Sequence, residues 1–199
     1  MQAAGGVALA ALIVVVGALV YLHIAPTGLS PVRNAVSHDG ITRFRLGYRI
    51  ATIAFAVSGL ALAIAISHAT GGHATGPIVL LVVFAAARAV ISWYPMDAPG
   101  SQRTATGAVH GLLAIAAFGG VTAAALRLQH ALSDHRLLHS LGPASEVLGF
   151  LMLLLLLAMG MSRSYPVLRK RFGLLERGFY LAAIVWFAVF SIGCIARVH

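Results

Sequence analysis

The chain has 199 residues, of which 60% are hydrophobic and 10% are charged, and its formal net charge is +9. A soluble domain carries about 25% charged residues, so this composition excludes an ordinary water-soluble globule. The positive charge does not indicate nucleic-acid binding, because arginine and lysine collect in the cytoplasmic loops of membrane proteins, beside anionic headgroups.

Apolar runs predict six membrane-spanning helices, since about 20 helical residues cross the hydrocarbon layer. In chain order they cover residues 3–24, 48–68, 77–95, 104–127, 144–162 and 177–197. The first run lacks the basic leader of a secretory signal, and we expect it to be retained as a span. Backbone amides must be satisfied within lipid, so the predicted fold is all-α: one bundle of six transmembrane helices, forming a single domain over residues 1–199.

The distribution of basic residues predicts the orientation of the bundle. Ten lie in or beside the first, third and fifth connections: Arg33, Arg43, Arg45, Arg49, Arg103, Arg163, Arg169, Lys170, Arg171 and Arg177. The opposite side holds three: Arg127, Arg136 and Arg197. Because basic loops stay in the cytoplasm, both termini are predicted on the outer side of a bacterial cytoplasmic membrane.

One arginine, Arg88, lies inside the third predicted span. An arginine at that depth costs a few kcal/mol, so it usually faces the bundle interior with a partner. Asp97 and Glu176 are the candidate partners. The alternative is that the side chain snorkels past Trp93 to the headgroups, which its length allows. The sequence leaves both possibilities open.

The third connection leads into a helix that carries an intramembrane histidine. Asp97 lies in a proline-rich turn, and Thr104 or Ser101 can cap the fourth helix. His110 follows about two turns into that helix. It lies within GAVHG, residues 107–111, whose glycines predict a face where another helix approaches closely.

The first connection, PTGLSPVRNAVSHDG, is unusually polar for so apolar a chain. We expect Ser37 and His38 to join Asp97, His110 and Glu176 in a polar site at the cytoplasmic mouth of the bundle. Serine, histidine and aspartate are the groups of nucleophilic hydrolysis, and histidine with carboxylates also suits zinc. Neither spacing is diagnostic, so binding and catalysis both stay open, and no metal is predicted.

Cofactor-dependent classes fit the sequence poorly. A haem held by two histidines needs both to face each other within the bundle, but only His110 lies well inside a span. A retinal protein needs a lysine within the membrane, whereas Lys170 lies in a basic loop. We therefore expect no cofactor.

Three stretches carry a resemblance to a known family: PTGLSPVRNAVSHDG; YPMDAPG, followed by the threonine-rich helix start and His110; and LLERGFY. Together they resemble the bacterial membrane family catalogued as domain of unknown function 998. The resemblance covers nearly the whole chain. It implies a six-helix membrane protein with polar motifs in this order. The matching positions are Ser37, His38, Asp97, His110, Glu176 and Arg177. It implies no activity, because the function of that family is unassigned.

The leading prediction is a membrane protein that binds or processes an amphiphilic, lipid-like molecule at its cytoplasmic mouth. Arginine forks suit phosphate and carboxylate, so Arg33, Arg103 and Arg177 are expected to hold an anionic headgroup, with Arg88 as a further ligand-binding candidate. His38 or His110 would transfer a proton. Two alternatives remain: an accessory or assembly subunit with protein partners in the membrane, and, ranked lower, a small transporter.

Overall fold

The computed structural model describes residues 1–98, 100–132 and 138–196, and over these ranges the only regular secondary structure is helical. The α-helices are α1 Gln2–Ile24, α2 Arg45–Thr70, α3 Thr75–Ile91, α4 Ala105–Leu132, α5 Gly142–Met161, α6 Pro166–Lys170 and α7 Phe172–Ala196. Two 3₁₀ helices accompany them, at Val36–Ile41 and His139–Leu141. Arg136 and Arg197, which entered the predicted orientation, lie outside the described residues.

Within the described residues, five helical segments are long and apolar enough to cross a membrane: α1, α2, α4, α7, and α5 together with the 3₁₀ turn before it. The chain therefore has the build of a multi-pass membrane protein. The third predicted span differs from this group. Helix α3 has 17 residues and ends at Ile91, because a turn at 92–94 precedes Pro95, and the residue before proline disfavours the helical conformation. Its length of about 25 Å falls below the roughly 30 Å hydrocarbon thickness.

The long helices form a ring in which each packs against the next along the chain, and α7 closes the ring by packing against α5 and α1. Aromatic side chains fill its centre. The ring of Phe55 lies 5.1 Å from that of Phe84 and 5.0 Å from that of Phe187, while Phe118 lies 5.8 Å from Tyr180. Edge-to-face contacts of this kind add to the burial of apolar area, so this cluster holds four helices together.

Close helix contact occurs at a different glycine from those predicted. A Cβ at Gly120 of α4 would lie 3.1 Å from the carbonyl oxygen of Leu80 in α3, so the two backbones approach closely there. By contrast, a Cβ at Gly111 would meet nothing within 4 Å, and one at Gly107 would overlap the carboxylate of Asp97. The predicted close approach of a helix at residues 107–111 is wrong, because these glycines face a cavity and a loop carboxylate.

The first, third and fifth connections meet at one end of the ring. The Leu174 amide at the start of α7 donates to the carbonyl of Val32 at 3.1 Å. In the 3₁₀ helix, the Ser37 hydroxyl donates to the thioether of Met96 at 3.0 Å. The polar stretches that are far apart in the sequence are therefore neighbours in the fold.

Candidate functional site

A cavity of about 650 Å³ opens at this end of the ring, and we call it the mouth cavity. Its polar lining contains Ser37, His38, Asp97, Arg103, Thr104, His110, Ser162, Arg163 and Glu176. Its apolar lining includes Leu112, Ile115, Phe118, Leu156 and Met159. All five predicted catalytic residues thus border one space, as does one of the four predicted ligand-binding arginines. The roles of these residues stay predictions.

The mouth cavity is polar at one end and apolar at the other. On α4, Gly107 lies near the polar connections and Phe118 lies eleven residues further on, a rise of about 16 Å. On α5, which runs the other way, Leu156 comes before Arg163. The lining residues therefore change from charged to apolar with depth, which is the profile that an amphiphilic molecule requires.

Glu176 links α7 to the first connection. Its side chain is buried, and its Oε2 accepts a hydrogen bond of 2.5 Å from the backbone amide of Val36. The next residue, Arg177, donates from Nη1 to the carbonyls of Pro31 at 2.8 Å and Asn34 at 2.9 Å. Two adjacent side chains thus hold the 3₁₀ segment, and with it Ser37 and His38, against α7.

Asp97 caps the fourth helix, together with Thr104. The carboxylate accepts bonds from the Thr104 hydroxyl at 2.7 Å and the Thr104 amide at 3.2 Å, and the hydroxyl oxygen accepts the Gly107 amide at 3.0 Å. These bonds satisfy the amides of Thr104 and Gly107, two of the groups that a helix start leaves free. These two bonds from Thr104 lower the pKa of Asp97 below its usual value. Of the two predicted capping residues, Thr104 is the cap.

Acidification should selectively weaken this cap. Because the pKa of Asp97 is lower in the folded state, its contribution to stability is complete above the usual aspartate value and is lost as the pH falls through the folded-state value. We expect Asp97→Asn to melt at a lower temperature than wild type at pH 7, and the difference to shrink at pH 3. Thermal unfolding in detergent measures it. A Ser101→Ala control should show a pH-independent difference, and a constant Asp97→Asn difference would contradict the assignment.

His110 is fixed as one tautomer by the end of the third connection. Its side chain is buried, and Nδ1 lies 2.7 Å from the carbonyl oxygen of Tyr94. A carbonyl only accepts, so Nδ1 carries the hydrogen, and Nε2 of the neutral ring is left as an acceptor. The ring lines the mouth cavity, where an acceptor nitrogen is the group that general-base chemistry requires.

Ser37 and His38 do not form a nucleophile and base pair in this structure. The Ser37 hydroxyl is directed to Met96, and Nδ1 of His38 has no hydrogen-bond partner within the part of the chain that the structure describes. Partial burial lowers the pKa of His38, and the carbonyl of Ala35 opposes the change. The lowered pKa favours the neutral imidazole, and its unpaired Nδ1 is buried rather than directed at the serine.

Arg88 is buried, with 2% of its surface exposed. Its Nη1 donates to the Tyr180 hydroxyl at 2.8 Å, and its guanidinium lies 5.6 Å from the ring centre of Phe55 and 5.3 Å from that of Tyr180. Of the two alternatives, the structure therefore supports burial. The hydrogen-bond partner was not predicted: it is Tyr180, one turn after Glu176, and neither of the two carboxylates.

The other ligand-binding candidates are dispersed. Arg103 borders the mouth cavity, Arg33 is exposed on the first connection, and Arg177 contacts backbone carbonyls beside a different groove. Arg163, which sequence reasoning did not single out, borders the cavity next to Ser162. Its position directly after the fifth apolar run was the available signal. Among the described residues, no group of three or more histidine, cysteine or acidic side chains is placed to hold a metal ion.

Apolar helices packed in a ring define a multi-pass helical membrane protein. A family model described as protein of unknown function (DUF998) matches residues 7–193. The chain belongs to this family, as the motifs of the first and third connections and of α7 indicated. No curated protein and no solved structure matches it.

Proposed function

We propose that the protein binds an anionic amphiphile in the mouth cavity, with the headgroup among the polar residues of the connections and the chain along α4 and α5. The observation that carries the proposal is the change from charged to apolar lining with depth. The volume of about 650 Å³ lies within the range of small-molecule sites.

The sign of the headgroup follows from the charges at the mouth. Arg103 and Arg163 are exposed cations with guanidinium forks that suit phosphate or carboxylate. The carboxylates of Asp97 and Glu176 are already engaged, one with Thr104 and the other with the Val36 amide. Both carboxylates thus already accept hydrogen bonds from the protein. The two arginines are the charged groups left to bind the headgroup, and they favour an anionic one.

The proposed membrane arrangement has six spans, with the mouth cavity in the cytoplasm and both termini outside. Helix α3 packs between α2 and α4, and the connections on its two sides lie at opposite ends of the ring, so it would cross with its neighbours despite its length. The ends of the first, third and fifth connections hold ten of the basic residues, which favours a cytoplasmic mouth.

Processing of the amphiphile is an extension of the binding proposal. His110 offers Nε2 as an acceptor, held in place through Nδ1 by the Tyr94 carbonyl, and is the best-positioned group to take a proton from a hydroxyl or water. Asp97 acts on this site through the cap of α4. Ser37 and His38 would contact the headgroup from the first connection.

A leucine at Gly111 should block the mouth cavity without disturbing the fold. A side chain there meets no atom within 4 Å and enters the cavity, so we expect Gly111→Leu to bind a fluorescent lysophosphatidic acid about tenfold more weakly than wild type, which corresponds to 1.4 kcal/mol. Fluorescence titration of the protein in phosphatidylcholine nanodiscs measures the affinity.

The matched control is Gly119→Leu on the same helix, where an added Cβ also meets nothing within 4 Å and which does not line the cavity. It should bind as wild type does. A monoacylglycerol probe without phosphate tests the role of charge, and Arg103→Gln should remove the preference for the phosphate probe. Equal affinity of Gly111→Leu and Gly119→Leu would refute binding in this cavity.

The accessory-subunit alternative makes a different prediction. Helices α1 and α5 bury only 22% of their membrane-crossing windows, so their outer faces are available to protein or lipid. Purification in mild detergent distinguishes the two possibilities, because an accessory subunit is recovered with a stoichiometric partner. The transporter alternative requires a polar path to the other end of the ring, and the centre of the ring is instead filled by aromatic side chains.

A further inference from the structure

A second hollow lies between α1 and α7, on the outer surface of the ring. This α1–α7 groove has a volume of about 260 Å³, and Val16, Val20, Leu181 and Ile184 form its apolar walls. Leu181 is 64% exposed and Val20 54% exposed, so the groove opens sideways, away from the bundle. In a membrane-spanning ring, apolar side chains on that surface face the acyl chains of the lipid.

The inner end of the α1–α7 groove is charged. Asp39 of the 3₁₀ helix, His23 at the end of α1 and Arg177 at the start of α7 line it. Asp39 is 3% exposed, and its carboxylate has no hydrogen bond to any residue that the structure describes. The neighbouring charges of Arg177 and His23 stabilise this carboxylate, and its oxygens remain free to accept hydrogen bonds from a ligand.

The spacing of charged and apolar residues fits a lipid standing upright in one leaflet. His23 follows Val16 by seven residues on α1, and Ile184 follows Arg177 by seven on α7. Each separation is a rise of about 10 Å. The charged groups therefore lie at the same depth on both helices. From them the apolar walls extend along α1 and α7 for a distance that matches part of one acyl chain.

Two opposite charges share the charged end of this groove. Arg177 uses Nη1 to hold the carbonyls of Pro31 and Asn34, and its other nitrogens make no hydrogen bond to the described residues. Burial raises the pKa of Asp39 to about 6, and the charges of Arg177 and His23 oppose that rise, so the carboxylate is ionised at pH 7.5. An ammonium beside an anion is the complement of this pair. A primary ammonium donates up to three hydrogen bonds, whereas a trimethylammonium donates none.

We infer that the α1–α7 groove binds a phospholipid whose headgroup carries both a phosphate and a primary ammonium, with the ammonium on Asp39, the phosphate on Arg177 and one acyl chain along the apolar walls. This site is separate from the mouth cavity and does not depend on the function proposed for it.

The test is a competition among lipids that differ only in headgroup. The purified full chain in mild detergent receives equal amounts of phosphatidylethanolamine, phosphatidylcholine and phosphatidylglycerol with identical acyl chains, and native mass spectrometry counts the retained lipid. Wild type should retain phosphatidylethanolamine about tenfold over phosphatidylcholine, since hydrogen bonds to a charged group are worth one such factor. Asp39→Asn should remove this preference. Glu146→Gln, a charge removal on α5 away from the groove, should keep it.

A second variant keeps the proposal falsifiable where Asp39→Asn does not fold. Leu181→Trp leaves the charges intact and fills the exposed wall of the groove, so it should reduce the retention of phosphatidylethanolamine. Gly111→Leu should leave the preference unchanged, which separates this site from the mouth cavity. Equal retention of the three lipids by wild type, a preference that persists in Asp39→Asn, or full retention by Leu181→Trp would each overturn the inference.

Discussion

Replacing Arg88 by alanine is expected to lower the free energy of unfolding by about 3 kcal/mol. The substitution empties a buried volume beside Phe55 and leaves the Tyr180 hydroxyl without its donor at 2.8 Å. It also removes a cation held close to two aromatic faces, an interaction that strengthens when water is excluded. Unfolding in mixed micelles of rising sodium dodecyl sulfate content measures the change.

Three comparisons isolate the cause of this loss. Arg127→Ala removes an arginine from an exposed position of α4 and should change stability by less than about 0.5 kcal/mol. Arg88→Met keeps most of the volume and reports the hydrogen bond and the charge alone. Tyr180→Phe, combined with Arg88→Met, closes a double-mutant cycle for the pair. If Arg88→Ala unfolds like Arg127→Ala, the buried contact with Tyr180 does not exist.

Replacing Glu176 by alanine is expected to cost about 2 kcal/mol and to release the first connection from α7. The buried Val36 amide would lose its acceptor at 2.5 Å, and an unsatisfied buried donor costs about 1–3 kcal/mol. Arg33 is exposed on that connection, so trypsin cleavage after Arg33 reports the release. We expect the cleavage to become about tenfold faster in the variant, as a local opening free energy falls by 1.4 kcal/mol or more.

Glu176→Gln is the matched control, because its side-chain oxygen can still accept the Val36 amide. It should be cleaved at nearly the wild-type rate. Cleavage after Arg163, which is exposed on a different connection, should be equal in all three proteins. Equal cleavage after Arg33 in Glu176→Ala and Glu176→Gln would show that the carboxylate does not hold the connection.

The helices were predictable because apolar runs of sufficient length have few alternatives to a membrane helix. The residues at which the helices begin and end were less predictable. Helix α7 begins at Phe172, five residues before the predicted start, so Glu176 lies within the helix rather than ahead of it. The predicted sixth span, 177–197, began one residue after Glu176, whereas a hydrogen bond from the Val36 amide allows this side chain to be buried within α7.

The grouping of the candidate site could be predicted, but its individual contacts could not. Alternating spans bring the first, third and fifth connections to one end, so Ser37, Asp97 and Glu176 had to be near one another. Which partner each side chain chooses depends on distances of a few ångströms. Arg88 donates to the Tyr180 hydroxyl, and Tyr180 lies one turn after Glu176 on α7. The search for a charged partner did not indicate this uncharged one.

The burial of Asp39 was not predictable from the sequence. It lies directly after His38 in the unusually polar first connection, yet it is buried. The reason is the 3₁₀ helix Val36–Ile41, which winds tightly enough to direct consecutive side chains to different hollows: His38 to the mouth cavity and Asp39 to the α1–α7 groove. Two adjacent residues, His38 and Asp39, thus line two different hollows.

The attachment of the first connection to Glu176 and Arg177 has a consequence for biosynthesis. Ribosomes deliver the first connection long before α7, so its amide and carbonyl groups lack these partners while the residues from α2 to α6 are synthesised. Only the synthesis of α7 can fix the 3₁₀ segment at the edge of the mouth cavity. A nascent chain arrested before residue 172 would therefore lack Phe172 and Glu176 and carry an incomplete mouth cavity.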